Sequence, residues 1–197
     1  MCKLCGRTVG PGKECKACIP KIYDEDRAIP LFDAAFDWLS QRGVRFSIPR
    51  DEIHFSLIRE LIPAHYKVQE AELTFGLTHI QGVPNGPLRN AVVNVTLLRG
   101  LTQLHLIGYS LHELGHVWLF DNGLQHLPAP EVEGFCEYLR YQYYADTKTE
   151  EGSLQMLRMR RNENPVTGGG MRVYLDKFPA GALPKVLEHM VRNVGRA

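Results

Sequence analysis

The segment H-E-L-G-H at 112–116 sets two imidazoles and a carboxylate in a run, residues 101–120, that is otherwise long and largely apolar. On an α-helix, His112 and His116 stand one turn apart on one face and can offer nitrogens to a single ion. Glu113 lies one step round the cylinder, off the ligand row but near enough to meet a water carried by that ion. Zinc lowers the pKa of such a water toward neutrality, and a neighbouring glutamate can take its proton during attack on a carbonyl. The H-E-x-x-H pattern encodes that division of labour. The competing expectation is three polar residues that have found hydrogen-bond partners in a core.

An ion that does chemistry needs a third protein ligand and an open fourth position. Leu119 and Asn122 occupy the places where a G-x-x-H continuation would set its Gly and His. The loop that follows offers His126, and the next helical stretch offers Glu131, Glu133 and Glu137. Sixteen residues lie between His116 and Glu133, enough to turn at D-N-G (121–123) and run a second helix back along the first. Gly134 would let that helix come close. Glu137, one turn past Glu133, is placed to accept a hydrogen bond from a ligand histidine and fix its tautomer. Glu131 is rotated away and suits the solvated start of the helix, where the dipole favours it.

A second metal site is expected at the N-terminus. C-K-L-C and C-K-A-C supply Cys2, Cys5, Cys15 and Cys18, with nine residues between the pairs. Two such turns complete the tetrahedral thiolate shell of a structural zinc, and Gly6, Gly10 and Gly12 give the tight backbone of a knuckle. The first residues carry no apolar leader, so a cytoplasmic chain with reduced thiols is the expectation. Cys136 stands apart and reads as a small buried apolar residue.

Lys plus Arg number 23 and Asp plus Glu 22, for a net charge of +1. That balance makes no electrostatic case for nucleic acid or for an anionic membrane, and no apolar run approaches the roughly 18 residues of a membrane span. A chain of 197 residues, 44% of them hydrophobic, is expected to form one domain with a small appendage. The division is a zinc knuckle at 1–20 and a main domain at 28–197.

The elements that must hold the site follow from periodicity. A helix is expected over 30–42, with Pro30 at its start, Leu31, Ala34, Ala35, Trp38 and Leu39 in phase, and Gly43 at its stop. Residues 44–48 alternate like a strand, 49–63 fit a helix between two prolines, and 71–80 and 91–98 fit strands. Helices follow over 101–120, 130–146 and 182–194, and the glycine-rich 162–170 is expected as a loop. R-M-R-R at 158–161 reads as a solvated helix face. Strands ahead of the main helices indicate α+β with a small sheet rather than alternating βαβ units. The strand over 91–98 could present an edge to a peptide in β-augmentation.

HELGHVW followed by VEGFCEYL resembles the gluzincin arrangement, in which a glutamate on the next helix completes the histidine pair; that resemblance implies Glu133 as the third ligand. More narrowly, most of residues 91–190 resembles the peptidase domain of the plant DA-one family, ubiquitin-activated peptidases with a LIM zinc domain. The stretches that carry this run from VNVTLLRGLTQLHLIGYSLHELGHVWL through EGFCEYL and GGGMR to LPKVLEHM. The resemblance implies a minimal gluzincin, a small sheet packed on the H-E-x-x-H helix and the glutamate helix, acting on a protein or peptide substrate. It does not carry ubiquitin dependence, because the four-cysteine knuckle is far shorter than a LIM domain. A group that steadies the oxyanion is expected among Arg172, Tyr174 and His189, and His189 is favoured by the match of LEHM to the family's closing helix. The expected cofactors are two zinc ions, one catalytic and one structural. The alternative is a non-catalytic zinc-binding module that recognises a protein or nucleic-acid partner.

Overall fold

The computed structural model describes residues 21–59, 75–81, 91–178 and 181–194. The four N-terminal cysteines lie outside these residues. Among these residues the architecture is mixed α+β, with two small sheets and six α-helices. Strand β1 (Lys21–Ile22) leads to α1 (Glu25–Gln41); a 3-10 turn at Arg50–Glu52 opens β2 (Ile53–Ile58). Strands β3 (Gly76–Gln81), β4 (Val92–Leu98) and β5 (Leu101–Thr102) precede α2 (Gln103–Asp121), α3 (Ala129–Thr147) and α4 (Glu150–Arg160). A π-helical turn at Pro165–Gly169 runs into α5 (Gly170–Lys177), and α6 (Leu183–Val194) closes the described chain.

The larger sheet has the order β2-β4-β3, with β2 parallel and β3 antiparallel to β4. The β-branched strand 92–98 is therefore central, and the expectation that it offers an edge is corrected. Both its ladders are taken, by Ile53↔Val93 on one side and Gly76↔Leu97 on the other. Among the described residues, the edges of this sheet belong to β2 and β3. The smaller sheet pairs β1 with β5, Ile22 opposite Leu101.

Three other expectations are corrected. Residues 49–63 were expected as a helix, but 53–58 form a strand. Ile53, Phe55 and Leu57 satisfy strand alternation, and Ile53 with Leu57 also fits a helical face; the free ladder of β4 decides between the two. Residues 44–48 form no strand. Val44 and Ile48 are buried, and the backbone N–H and hydroxyl of Ser47 both donate to Asp121 at the end of α2, 2.6 and 2.5 Å away. The glycine-rich 162–170 is an ordered turn and helix start rather than a loop: Asn164 Oδ1 accepts from the N–H groups of Val166 and Thr167. The first helix starts five residues earlier than Pro30, at Glu25, and buries Ala28, Phe32, Ala35 and Leu39.

The core explains why α2 stands where it does. Twelve of its nineteen residues are buried, leaving one half-buried stripe through Tyr109, His112, His116 and Phe120, so it is a central helix rather than an amphipathic surface one. Thr102 caps it by accepting the His105 N–H, and Gly123, in the left-handed region at φ 68°, ends it. Its face toward α3 carries Gly108 and Gly115, two turns apart. A Cβ at Gly108 would fall 2.5 Å from the Tyr144 hydroxyl, and one at Gly115 would fall 2.9 Å from Cys136 Sγ. On its far side α3 touches α5 through bare backbone, because a Cβ on Gly134 would fall 2.4 Å from the Gly170 carbonyl carbon. These absent side chains bring α3, and its glutamates, within reach of the histidine pair.

Candidate metal centre

His112 and His116 project from successive turns of α2, and Glu133 projects from the second turn of α3. The three side chains converge. The two Nε2 atoms are 3.3 Å apart, and Glu133 sets Oε2 3.4 Å from His112 Nε2 and Oε1 3.6 Å from His116 Nε2. A tetrahedral zinc with bonds of about 2.0–2.1 Å holds its donors about 3.3–3.4 Å apart, so this spacing suits such an ion. Nitrogen, nitrogen and carboxylate oxygen is also a donor set that zinc accepts.

A sulfur stands close by. Cys136 Sγ and one nitrogen of each imidazole all lie within 4.8 Å of one another, which makes the thiol a further potential donor. It sits one turn past Glu133, fully buried under Gly115. Burial pushes its pKa well up, so in the metal-free protein it is a neutral thiol.

The protons of the metal-free site follow from its charges. Burial disfavours charge on His112, but Glu133 and Glu137 outweigh it and push the pKa up to about 10. Burial and the neighbouring charged ring push His116 down to about 4. Burial would raise Glu133, but contact with His112 holds it below the usual carboxylate range. In the metal-free protein His112 is thus the ring that carries a proton near neutrality, and His116 is neutral.

His112 Nδ1 faces Glu137 Oε1 at 3.1 Å, a close charged contact in which the N–H is not well aligned. Glu137 in turn is gripped by Arg140, Nη2 to Oε2 2.9 Å, and the guanidinium lies 4.5 Å over the Tyr109 ring. Burial would raise the Glu137 pKa, but Arg140 and then His112 hold it down.

Glu113 turns toward β3 rather than α3. Its Oε2 accepts a 2.7 Å hydrogen bond from the Thr78 hydroxyl, which also lies 3.0 Å from the Glu113 carbonyl oxygen. A Cβ at Gly76 would come within 2.5 Å of Oε1. Burial raises the Glu113 pKa, with His112 and Thr78 pulling against it. A carboxylate so raised is better suited to receive a proton than a solvated one.

The other candidates lie elsewhere. His189 packs its ring 5.3 Å from Phe178 and lines a cavity of about 640 Å³ whose walls include Glu131, Arg172 and Tyr174 but none of His112, Glu113, His116 or Glu133. Tyr174 is buried, with its hydroxyl 3.2 Å from the Glu131 carbonyl and 2.9 Å from Met190 Sδ. Arg172 is tied to the carbonyls of Asn162 and Arg160. Sequence reasoning passed over Gly76, Thr78 and Arg140. Only Arg140 carried a local signal, as the i,i+3 partner of Glu137.

No helix among the described residues is long and apolar enough to cross a membrane. Compared with family models, with curated proteins and with solved structures, the chain finds no match in any of the three.

Proposed function

We propose that the chain is a zinc-dependent peptidase of the gluzincin type, with His112, His116 and Glu133 as ligands and Glu113 as general base. The observation that carries this reading is the convergence of two imidazoles and one carboxylate at 3.3–3.6 Å, with a second, separately held carboxylate beside them. A bound zinc supplies Lewis acidity toward a carbonyl and acidifies a water at its open position. The chain's own residues do the rest. Thr78 steers the Glu113 carboxylate, whose oxygen takes a proton from the attacking water and later gives it to the leaving amine. Glu137 holds the His112 ring, leaving Nε2 free for the ion. Strand β3, which adjoins Glu113 and is an edge strand among the described residues, offers backbone groups to an extended peptide. The reading also takes Cys2, Cys5, Cys15 and Cys18 as a structural zinc knuckle.

The test is Glu113→Gln, with peptide cleavage profiled in the host's own lysate. Zinc is expected to be retained while kcat falls at least about 10³-fold, as loss of both base and acid demands. Cleavage that survives the change ends this mechanism.

A second reading is favoured by Cys136. If its sulfur joins the two histidines and Glu133, the shell is closed and the site is structural, the centre of a non-catalytic interaction module. X-ray absorption of the zinc-loaded protein separates the two readings. A sulfur shell at about 2.3 Å supports the closed site, and nitrogen and oxygen alone at about 2.0–2.1 Å support the open one, provided the N-terminal cysteines have been replaced.

A further inference from the structure

Four side chains close a ring across the contact between α2 and α3, two from each helix. Tyr109 and His112 stand three residues apart on α2, and Glu137 and Arg140 three apart on α3, so each pair shares a helix face. His112 Nδ1 faces Glu137 Oε1 at 3.1 Å, and Arg140 Nη2 holds the other oxygen of that carboxylate at 2.9 Å. The guanidinium lies 4.5 Å over the Tyr109 ring and is hydrogen-bonded to the same side chain, which closes the circuit back to α2. Phe75 stacks on Tyr109, ring centroids 4.8 Å apart, and seats it. Arg140 Nε is buried as well. The guanidinium is therefore enclosed, and it reaches the metal centre only through Glu137.

Glu113, Glu133 and Glu137 place three carboxylates about the histidine pair, two of them buried. A divalent ion would balance two of these charges, and the third, left alone in a buried site, would be costly. Arg140 supplies the balance. The carboxylate torsion of a glutamate is broad and roughly two-fold, so a group held at one oxygen can rock and exchange its acceptor. Glu137 is held at both oxygens, which fixes the acceptor that His112 meets. We propose that Arg140 is a positioning residue of the metal centre: by fixing Glu137 it keeps the His112 proton on Nδ1 and leaves Nε2 to the ion. The proposal rests on the reading of His112, His116 and Glu133 as zinc ligands. His116 makes no ion pair with Glu137 among the described residues and meets Glu133 instead, so its ring is a control within the same site.

The experiment measures the zinc affinity of the full chain by competition with a chromophoric chelator, for wild type, Arg140→Met, Glu137→Gln and the double variant. The His116→Ala chain, which keeps the N-terminal cysteines, is the blank, and circular dichroism sets the folded fraction. Arg140→Met is expected to weaken zinc binding about tenfold, and Glu137→Gln about 10–100-fold. The double variant is expected within about threefold of Glu137→Gln alone, because both changes break one link. Wild-type affinity in Arg140→Met overturns the proposal, and so do losses that multiply in the double variant. Arg140→Lys keeps the charge without the planar fork, and a loss of at least about threefold is expected of it. It takes the place of Arg140→Met in the cycle, under the same criteria, if the latter does not fold.

A role confined to stability would lower Tm without singling out one imidazole. Imidazole nitrogen NMR of the zinc-loaded chain separates the two roles. The Arg140 variant should shift the His112 Nδ1–H signal and speed its exchange with water, while the His116 ring keeps its wild-type signals. Equal changes in both rings, or none in His112, overturn the proposal. A wild type that takes up no more zinc than the His116→Ala chain sinks the ligand reading and this proposal with it. Zinc uptake by the wild type together with any of the failing results above sinks the proposal alone.

Discussion

The closeness of Gly76 to Glu113 yields a test of the base that leaves the base itself untouched. Gly76→Ala adds one methyl group on a strand whose backbone there is not in the left-handed region, so the substitution carries no conformational penalty of its own. The new Cβ would lie 2.5 Å from Glu113 Oε1 and 2.6 Å from Leu97 Cδ2, where ordinary contact begins at 3.4 Å. Leu97 is fully buried between neighbours and can yield little. The carboxylate, the free end of a longer side chain, must retreat by about 0.9 Å, which is 3.4 Å less 2.5 Å. Overpacking of this kind costs about 1–3 kcal/mol of stability. A misplacement of about 1 Å in a reacting group costs on the order of 10² in rate. The assay is kcat/KM on a peptide found by lysate profiling, normalised to folded, zinc-loaded protein by circular dichroism and metal analysis. The expected result is full zinc occupancy, a small fall in Tm and a kcat/KM roughly a hundredfold lower. A variant that loses stability but turns over peptide at the wild-type rate per loaded molecule would refute the placement of Glu113 at the chemistry.

Other expected outcomes concern the ligands and the helix that carries them. Glu133→Gln should weaken zinc binding more than the roughly 10–100-fold typical of an outer-shell partner, while Cys136→Ala should leave affinity within about twofold; competition with a chromophoric chelator measures both, and the reverse ranking would assign the sulfur as ligand. Gly134→Ala should lower stability by about 3 kcal/mol or more, because its Cβ meets Gly170 backbone that has no rotamer to change; urea unfolding reads it. For pH the sign is set by His112. Its folded, metal-free pKa of about 10 lies above the ordinary 6.5, so its contribution to apo stability is fully present below 6.5 and is lost as pH rises toward 10. Zinc must displace that proton, so binding should release about one proton near neutrality and tighten about tenfold per pH unit; calorimetry in buffers of differing ionisation enthalpy measures the stoichiometry.

The sequence was most legible where one element carried the whole signal. His112, Glu113 and His116 stand within five residues of one helix, and the turn at D-N-G together with a periodic stretch located Glu133 and Glu137 one helix later. It was least legible where the decisive neighbour lay elsewhere in the chain. Ile53 to Ile58 satisfies a helical and an extended pattern at once, and only pairing with Val93–Leu98 selects the strand. The three glycines at 168–170 signalled a break, yet Gly170 serves as a helix start that lets α5 lie against Gly134. Thr78 and Gly76 shape the environment of Glu113 from a strand some thirty-five positions upstream, a relation that no local spacing records. Cys136 was read as a buried filler; it is buried, and it also stands beside the histidine pair.

The helix that bears the histidines is buried in the core on every side but the stripe that faces the glutamates of α3, so its position is set by the core rather than by any ion. Occupancy and folding are in that case separate ledgers. On the reading that the site holds zinc, a chain built this way would lose and regain the cation without passing through an unravelled state, unlike small domains that collapse only around their metal. On the peptidase reading, supply of the ion, and not synthesis of new protein, would then be a means of turning the molecule on.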